Sequence, residues 1–141
     1  GRRGGSVKGK SNIWPKVHGD DAPFDPTWML AMADNALLWG AHKFHARLPD
    51  AGRWLVWDKR GDVLPEWTQG CAEMAWHSAD GPVRVHRLIY GGLVMQAGVK
   101  GEEPAERQHP TQKPVALMRW CIQQARVPAG GVVILTGAQV G

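Results

Sequence analysis

Between Asp25 and Lys59 the chain alternates helix-like and strand-like stretches, and this alternation constrains the fold more than any other feature. Asp25 reads as an N-cap with Pro26 at the first helical position, since a short acidic side chain accepts orphan amides and proline needs no amide partner there. Trp28, Met29, Leu30, Met32 and Ala33 then make a mostly apolar helix that ends near Asp34-Asn35. Ala36-Leu37-Leu38-Trp39-Gly40 is a short apolar run with the character of a buried strand. Ala41 to Leu48 suits a second helix, closed by Pro49 and the Asp50-Ala51-Gly52 turn. Arg53-Trp54-Leu55-Val56-Trp57-Asp58-Lys59 is the next strand. The run predicts an α/β sheet covered on both faces. In open parallel sheets ligands gather at the carboxyl ends of strands, which makes Asp58 and Lys59 candidates to face a substrate, with Arg60 beside them available to phosphates.

Beyond Lys59 the sequence predicts a loop over 61–70, then two strands, Cys71 to Ser78 and Val83 to Tyr90, around the Asp80-Gly81-Pro82 turn in an antiparallel arrangement. A polar loop follows over 91–108. Pro114 opens a helix as its first residue, with Val115, Leu117, Met118, Cys121, Ile122 and Ala125 on one apolar face. The Pro128-Ala129-Gly130-Gly131 link leads into a last strand, Val132-Val133-Ile134-Leu135.

At 141 residues with 43% hydrophobic content, the chain is expected to be one folded domain with a real core. No stretch approaches the ~18 consecutive apolar residues of a membrane span. Cys71 and Cys121 form no Cys-x-x-Cys pair, which matches a reducing cytoplasm better than a disulfide framework. The net charge of +4 allows an anionic partner, with nucleic acid the natural one. The basic, glycine-rich residues 1–10 are expected to form a flexible arm, with Arg2, Arg3, Lys8 and Lys10 available to phosphates. Eight tryptophans are unusual in a chain of this length, and some can act as stacking platforms for bases.

The polar loop His109-Pro110-Thr111-Gln112-Lys113-Pro114, bounded by prolines and opening a helix, is a common way to present backbone amides and short side chains to a ligand. His42-x-x-His45 has a spacing that can place two imidazoles on one helix face, but the sequence places no third ligand beside them. Among mononucleotide and hydrolase signatures, none of the Walker loop, Gly-x-Ser-x-Gly or Gly-x-Gly-x-x-Gly occurs.

The 109–114 loop with Leu117-Met118 after it resembles the segment preceding the cofactor strand of amino-directed DNA methyltransferases. Trp39-Gly40-Ala41, Leu48-Pro49, Trp54 to Lys59, Glu73-Met74-Ala75-Trp76 and Gly130 to Val133 fall, in order, where phage and bacterial members carry similar stretches. The resemblance is to the permuted order, catalytic half first. It implies a Rossmann-like methyltransferase sheet, S-adenosylmethionine as cofactor, DNA as substrate, and transfer of a methyl group to the N6 of adenine or the N4 of cytosine. It also implies a target base turned out of the duplex, because its exocyclic amine is unreachable while stacked. Carried over residue by residue, Thr111, Gln112, Lys113 and Pro114 lie along the methionine part of the cofactor, with His109 and Pro110 shaping the turn. Residues 61–108 correspond to the variable, target-recognising region and 109–141 to the cofactor side. A bacterial or phage-encoded cytoplasmic protein is implied.

The pattern is interrupted twice. The Asp-Pro-Pro-Tyr signature, whose acid and backbone carbonyl accept hydrogen bonds from the target amine, occurs nowhere in the 141 residues. Leu135 stands where the cofactor strand's Asp is expected and Gln139 where the first glycine of the following turn is expected, leaving Gly141 as the match; His42 replaces a common Asn. The expectation is therefore an incomplete methyltransferase domain, cut at the start and divergent or frame-shifted near the end, with no catalytic residue to name and activity only on completion. A non-catalytic basic DNA-binding remnant or partner subunit is the alternative, and a metal-dependent hydrolase using His42, His45 and His77 a more remote third.

Overall fold

The computed structural model describes residues 22–59, 70–91, 94–95 and 113–134. It is a mixed α/β arrangement built on an open four-stranded sheet: β1 (Leu37–Trp39), β2 (Arg53–Asp58), β3 (Ala72–His77) and β4 (Arg84–Arg87), in the spatial order β1-β3-β2-β4. Strand β3 runs antiparallel to both β1 and β2, while β4 runs parallel to β2. A separate two-stranded ribbon pairs β5 (Tyr90–Gly91) with β6 (Val94–Met95).

Two expectations are corrected by this order. The first two strands are not neighbours in a parallel sheet, because β3 lies between them. The two strands predicted about Asp80-Gly81-Pro82 are present and run in opposite directions, but they do not pair with each other: β3 and β4 flank β2 on its two sides. Tryptophan register explains the insertion. Trp76 of β3 lies opposite both Leu38 of β1 and Trp54 of β2, so one strand closes a single apolar surface over two neighbours.

Alternation sends residues to opposite faces. One face collects Trp57, Leu88, Leu117 and Cys121, with Leu37, Trp39, Ala116, Met118 and Trp120 packed against them. The other collects Leu38, Ala41, Phe44 and Trp76, with Phe24, Met29, Leu30, Leu48 and Trp54 around them. Helix α2 (Val115–Gln124) covers the first face, and α1 (Thr27–Met32) with the 3-10 segment Ala41–Arg47 covers the second. Helical cover on both faces agrees with the sequence expectation.

Locally the chain follows its chemistry with small shifts. Helix α1 starts at Thr27 rather than Pro26, and the Asp25 carboxylate accepts the Thr27 amide at 3.0 Å and its hydroxyl at 2.6 Å. None of its residues is buried, so its apolar sequence is only partly used. The predicted second helix is a 3-10 segment, entered through Gly40 at φ 72° and kinked at Phe44. Its threefold period puts Ala41 and Phe44 on the sheet together.

Pro114 precedes α2 as its cap, extended at ψ 143°, rather than serving as its first residue. The predicted apolar stripe is also rotated: Leu117 and Cys121 are buried, Ala116 and Trp120 join them, and Val115 and Ile122 face outward. Trp120 stacks on His86 of β4 at 4.9 Å, which draws the helix round to that side. The final predicted strand is absent over its described part: 131–134 pairs with no strand, and Val132 and Ile134 are 88% and 67% exposed. Leu135 lies outside the described residues. Among the described residues no helix is long and apolar enough to cross a membrane.

Candidate functional site

Side chains that alternate along three strands and the entry to α2 meet on one face of the sheet. Trp39 of β1, Trp57 of β2 and Glu73 of β3 share that face, since Trp57 is in register with Glu73 and Trp39 with Ala75 two positions on. Lys59 leaves the end of β2 and donates to Glu73 Oε1 at 3.1 Å. Lys113, immediately before the buried Pro114, donates to Glu73 Oε2. The two ammonium groups thus share one carboxylate.

Aromatic rings complete the site. The Lys113 ammonium lies 5.9 Å from the Trp39 ring and 5.7 Å from the Trp57 ring, and the Lys59 ammonium 5.6 Å from Trp57. These distances allow attraction between each cation and the negative ring face. The rings pack edge to face at 6.4 Å, and the Trp57 indole donates to the Leu88 carbonyl at 3.0 Å, fixing its orientation.

Electrostatics follow from this geometry. Burial opposes ionisation of Glu73, but the hydrogen bonds and charges of Lys113 and Lys59 outweigh it and hold the carboxyl below its usual range. Glu73 is therefore ionised at neutral pH, an acceptor rather than a proton donor. Among the described residues the cluster sets two lysine charges against one carboxylate, beside two aromatic faces. That is the chemistry of a binding wall for an anionic or mixed-charge ligand, not of a proton-transfer centre.

Of the sequence candidates, Lys59, Lys113 and Pro114 come together here. Asp58 does not: alternation turns it to the other face, where its carboxylate accepts from Arg87 Nε at 2.9 Å. Arg60, Arg2, Arg3, Lys8, His109, Thr111 and Gln112 lie outside the described residues, as do Lys10 and Pro110. No protein-family model, curated protein or solved structure matches this chain.

The three histidines of the metal reading are separated. His42 and His45 are exposed on the 3-10 segment, and His45 Nδ1 contacts the His42 carbonyl oxygen at 2.9 Å. His77 is 1% exposed on the opposite face of the sheet. Its Nδ1 accepts from Arg53 Nε at 3.1 Å, so the neutral ring carries its proton on Nε2 and donates it to Asn35 Oδ1 at 2.8 Å. Arg53 also donates to the Gln124 carbonyl and Asn35 to the Ala125 carbonyl. His77 thus anchors the C-terminal end of α2 through two intermediaries. Among the described residues no group of three His, Cys, Asp or Glu side chains is placed to hold a metal ion.

Sequence reasoning missed Glu73, Trp39 and Trp57 as site residues, although each lay in a stretch singled out on other grounds. Their shared face depends on β3 entering between β1 and β2, and no local pattern announces that.

Proposed function

We propose that this chain carries the cofactor-side wall of a DNA amino-methyltransferase, an enzyme that transfers a methyl group from S-adenosylmethionine to adenine N6 or cytosine N4 on a Rossmann-like sheet. One observation supports the reading most. Four of the stretches that resemble that family, at Trp39, at Trp57 to Lys59, at Glu73 and at Lys113-Pro114, converge on a single cluster although they span positions 39 to 114.

The donor set suits the methionine end of the cofactor. The ammonium groups of Lys113 and Lys59 complement a carboxylate, Glu73 complements a positive centre, and the tryptophan rings exclude water around them. The bound cofactor supplies a methyl group on a sulfonium. The buried Pro114 holds Lys113 at the entry to α2, so the ammonium is presented from a fixed backbone rather than a long loop. No residue of the 141 is assigned to amine activation, because the Asp-Pro-Pro-Tyr signature does not occur among them. At the positions where the family carries its Asp and the first glycine of its cofactor turn, this sequence has Leu135 and Gln139, so weak cofactor binding and no transfer are expected of the wall alone.

The test is a titration with S-adenosylmethionine followed by NMR. Shifts at Lys113, Trp39 and Trp57 that saturate only at millimolar cofactor, and that vanish in Lys113→Ala, are expected. If nothing in the cluster responds at saturating cofactor, the methyltransferase reading falls. Weak DNA binding that drops steeply with salt is expected alongside, as phosphate-led contacts release counterions; with no cofactor response, such binding would favour the non-catalytic DNA-binding remnant.

A further inference from the structure

The sheet has two outer edges among its described residues, and they differ. Strand β4 carries Arg84 and Arg87 at its ends, and charge on an edge strand discourages pairing. Strand β1, Leu37-Leu38-Trp39, has no charge at all.

The hydrogen-bond phase of β1 is fixed by its flanks. Ser78 donates its amide to the Ala36 carbonyl at 2.9 Å and Gly40 donates to the Met74 carbonyl at 2.9 Å. In an antiparallel pair the bonded positions alternate, so Ala36, Leu38 and Gly40 face β3 while the amides and carbonyls of Leu37 and Trp39 point away from it. Those outward groups have no partner among the described residues. The strand is nevertheless covered above and below: Leu37 and Trp39 pack under α2, and Leu38 is 8% exposed against Phe44 and Trp76. An added strand would extend an edge whose own side chains are packed on both faces of the sheet, and such a position favours a continuous apolar run over an alternating one.

The same molecule displays such a run. Val132, Val133 and Ile134 are 88%, 43% and 67% exposed, are β-branched, and pair with nothing among the described residues. We propose that the β1 edge of one copy takes up the 132–134 segment of a second copy as an added strand, so that the chain self-associates by strand exchange. The two surfaces match in length, in lack of charge and in hydrogen-bonding need. The inference stands apart from the methyltransferase reading, since it uses neither Glu73 nor the lysines.

Light scattering and amide exchange across a concentration series test it. The wild-type chain shifts from monomer to dimer as concentration rises, and the Leu37 and Trp39 amides gain protection in step. Val133→Pro, at a position outside the core, removes an amide and stays monomeric with an unchanged circular dichroism spectrum; its Leu37 and Trp39 amides exchange fast while Leu38 and Gly40 stay protected. A wild-type chain that remains monomeric throughout overturns the proposal. So does protection of Leu37 and Trp39 that is independent of concentration, whether Val133→Pro abolishes it (the segment then folds back on its own chain) or leaves it intact (another segment covers the edge).

Discussion

Lys59 and Lys113 donate to the two oxygens of the same Glu73 carboxylate, one from the end of β2 and the other from the entry to α2. This ties the helix start to the sheet at a point where hydrophobic packing alone leaves two ammonium groups side by side.

Removing the shared carboxylate should be felt in stability as well as binding. The three side chains are 25–28% exposed, between the surface case and the buried one. Glu73→Gln is expected to cost about 1–3 kcal/mol, more than a surface pair and less than a buried one. Urea denaturation at neutral pH measures it. Because the folded-state carboxyl is held below its ordinary value of 4.5, the wild-type advantage is present above that value and is lost as pH falls through the folded value. The gap between variant and wild type should therefore narrow in acid.

His77 gives a second pH dependence at a higher range. Burial, assisted by the Arg53 charge, holds its ionisation below the ordinary 6.5. Protonation then favours the unfolded chain, so this contribution is complete above 6.5 and declines as pH falls from there toward the folded value. Melting temperature measured from pH 8 downward should drop below about 6.5, the unperturbed histidine value. His77→Gln, which keeps a donor and an acceptor but does not titrate, should flatten that limb.

Helix α2 is held to the sheet mainly through Leu117, which is fully buried against Trp57 and Leu88. Leu117→Ala is expected to lose about 2–5 kcal/mol from transfer and cavity terms. Val115→Ala, on the outward side of the same turn, should change stability little. Paired denaturation curves distinguish the observed stripe from the one that periodicity alone suggests.

Gly52 has a backbone requirement that no other residue meets easily. It sits at φ 85°, and a Cβ there would lie 2.3 Å from the His77 carbonyl oxygen. Gly52→Ala should destabilise by about 1–3 kcal/mol through left-handed strain, with displacement of the β3 end adding to it. Chemical shifts of His77 and Trp76 report the displacement.

The two cysteines should differ sharply toward alkylation. Cys121 is buried, and its thiol is pushed up to about 11. Cys71 is exposed. Iodoacetamide on the native chain at mildly alkaline pH should modify Cys71 and spare Cys121, with both modified in denaturant; peptide mass mapping reads the outcome.

The sequence by itself determined most of the local structure. Apolar runs at 37–39 and 53–58 mark strands, Asp25 with Pro26 and the Pro114 loop mark helix starts, and Asp50-Ala51-Gly52 marks a turn, because these depend on backbone sterics and on neighbours a few positions away. It also singled out Lys59 and Lys113, one through its strand end and the other through its motif. Only the tertiary structure decided that the two belong together. Strand order is set by which apolar faces close best over one another, and the placing of β3 between β1 and β2 brought Glu73 beneath both lysines. The same long-range choice put Asp58 on the opposite face, buried His77 away from His42 and His45, and left Val132 to Ile134 exposed and unpaired among the described residues. A strand's sequence carries its alternation but not the identity of its neighbours.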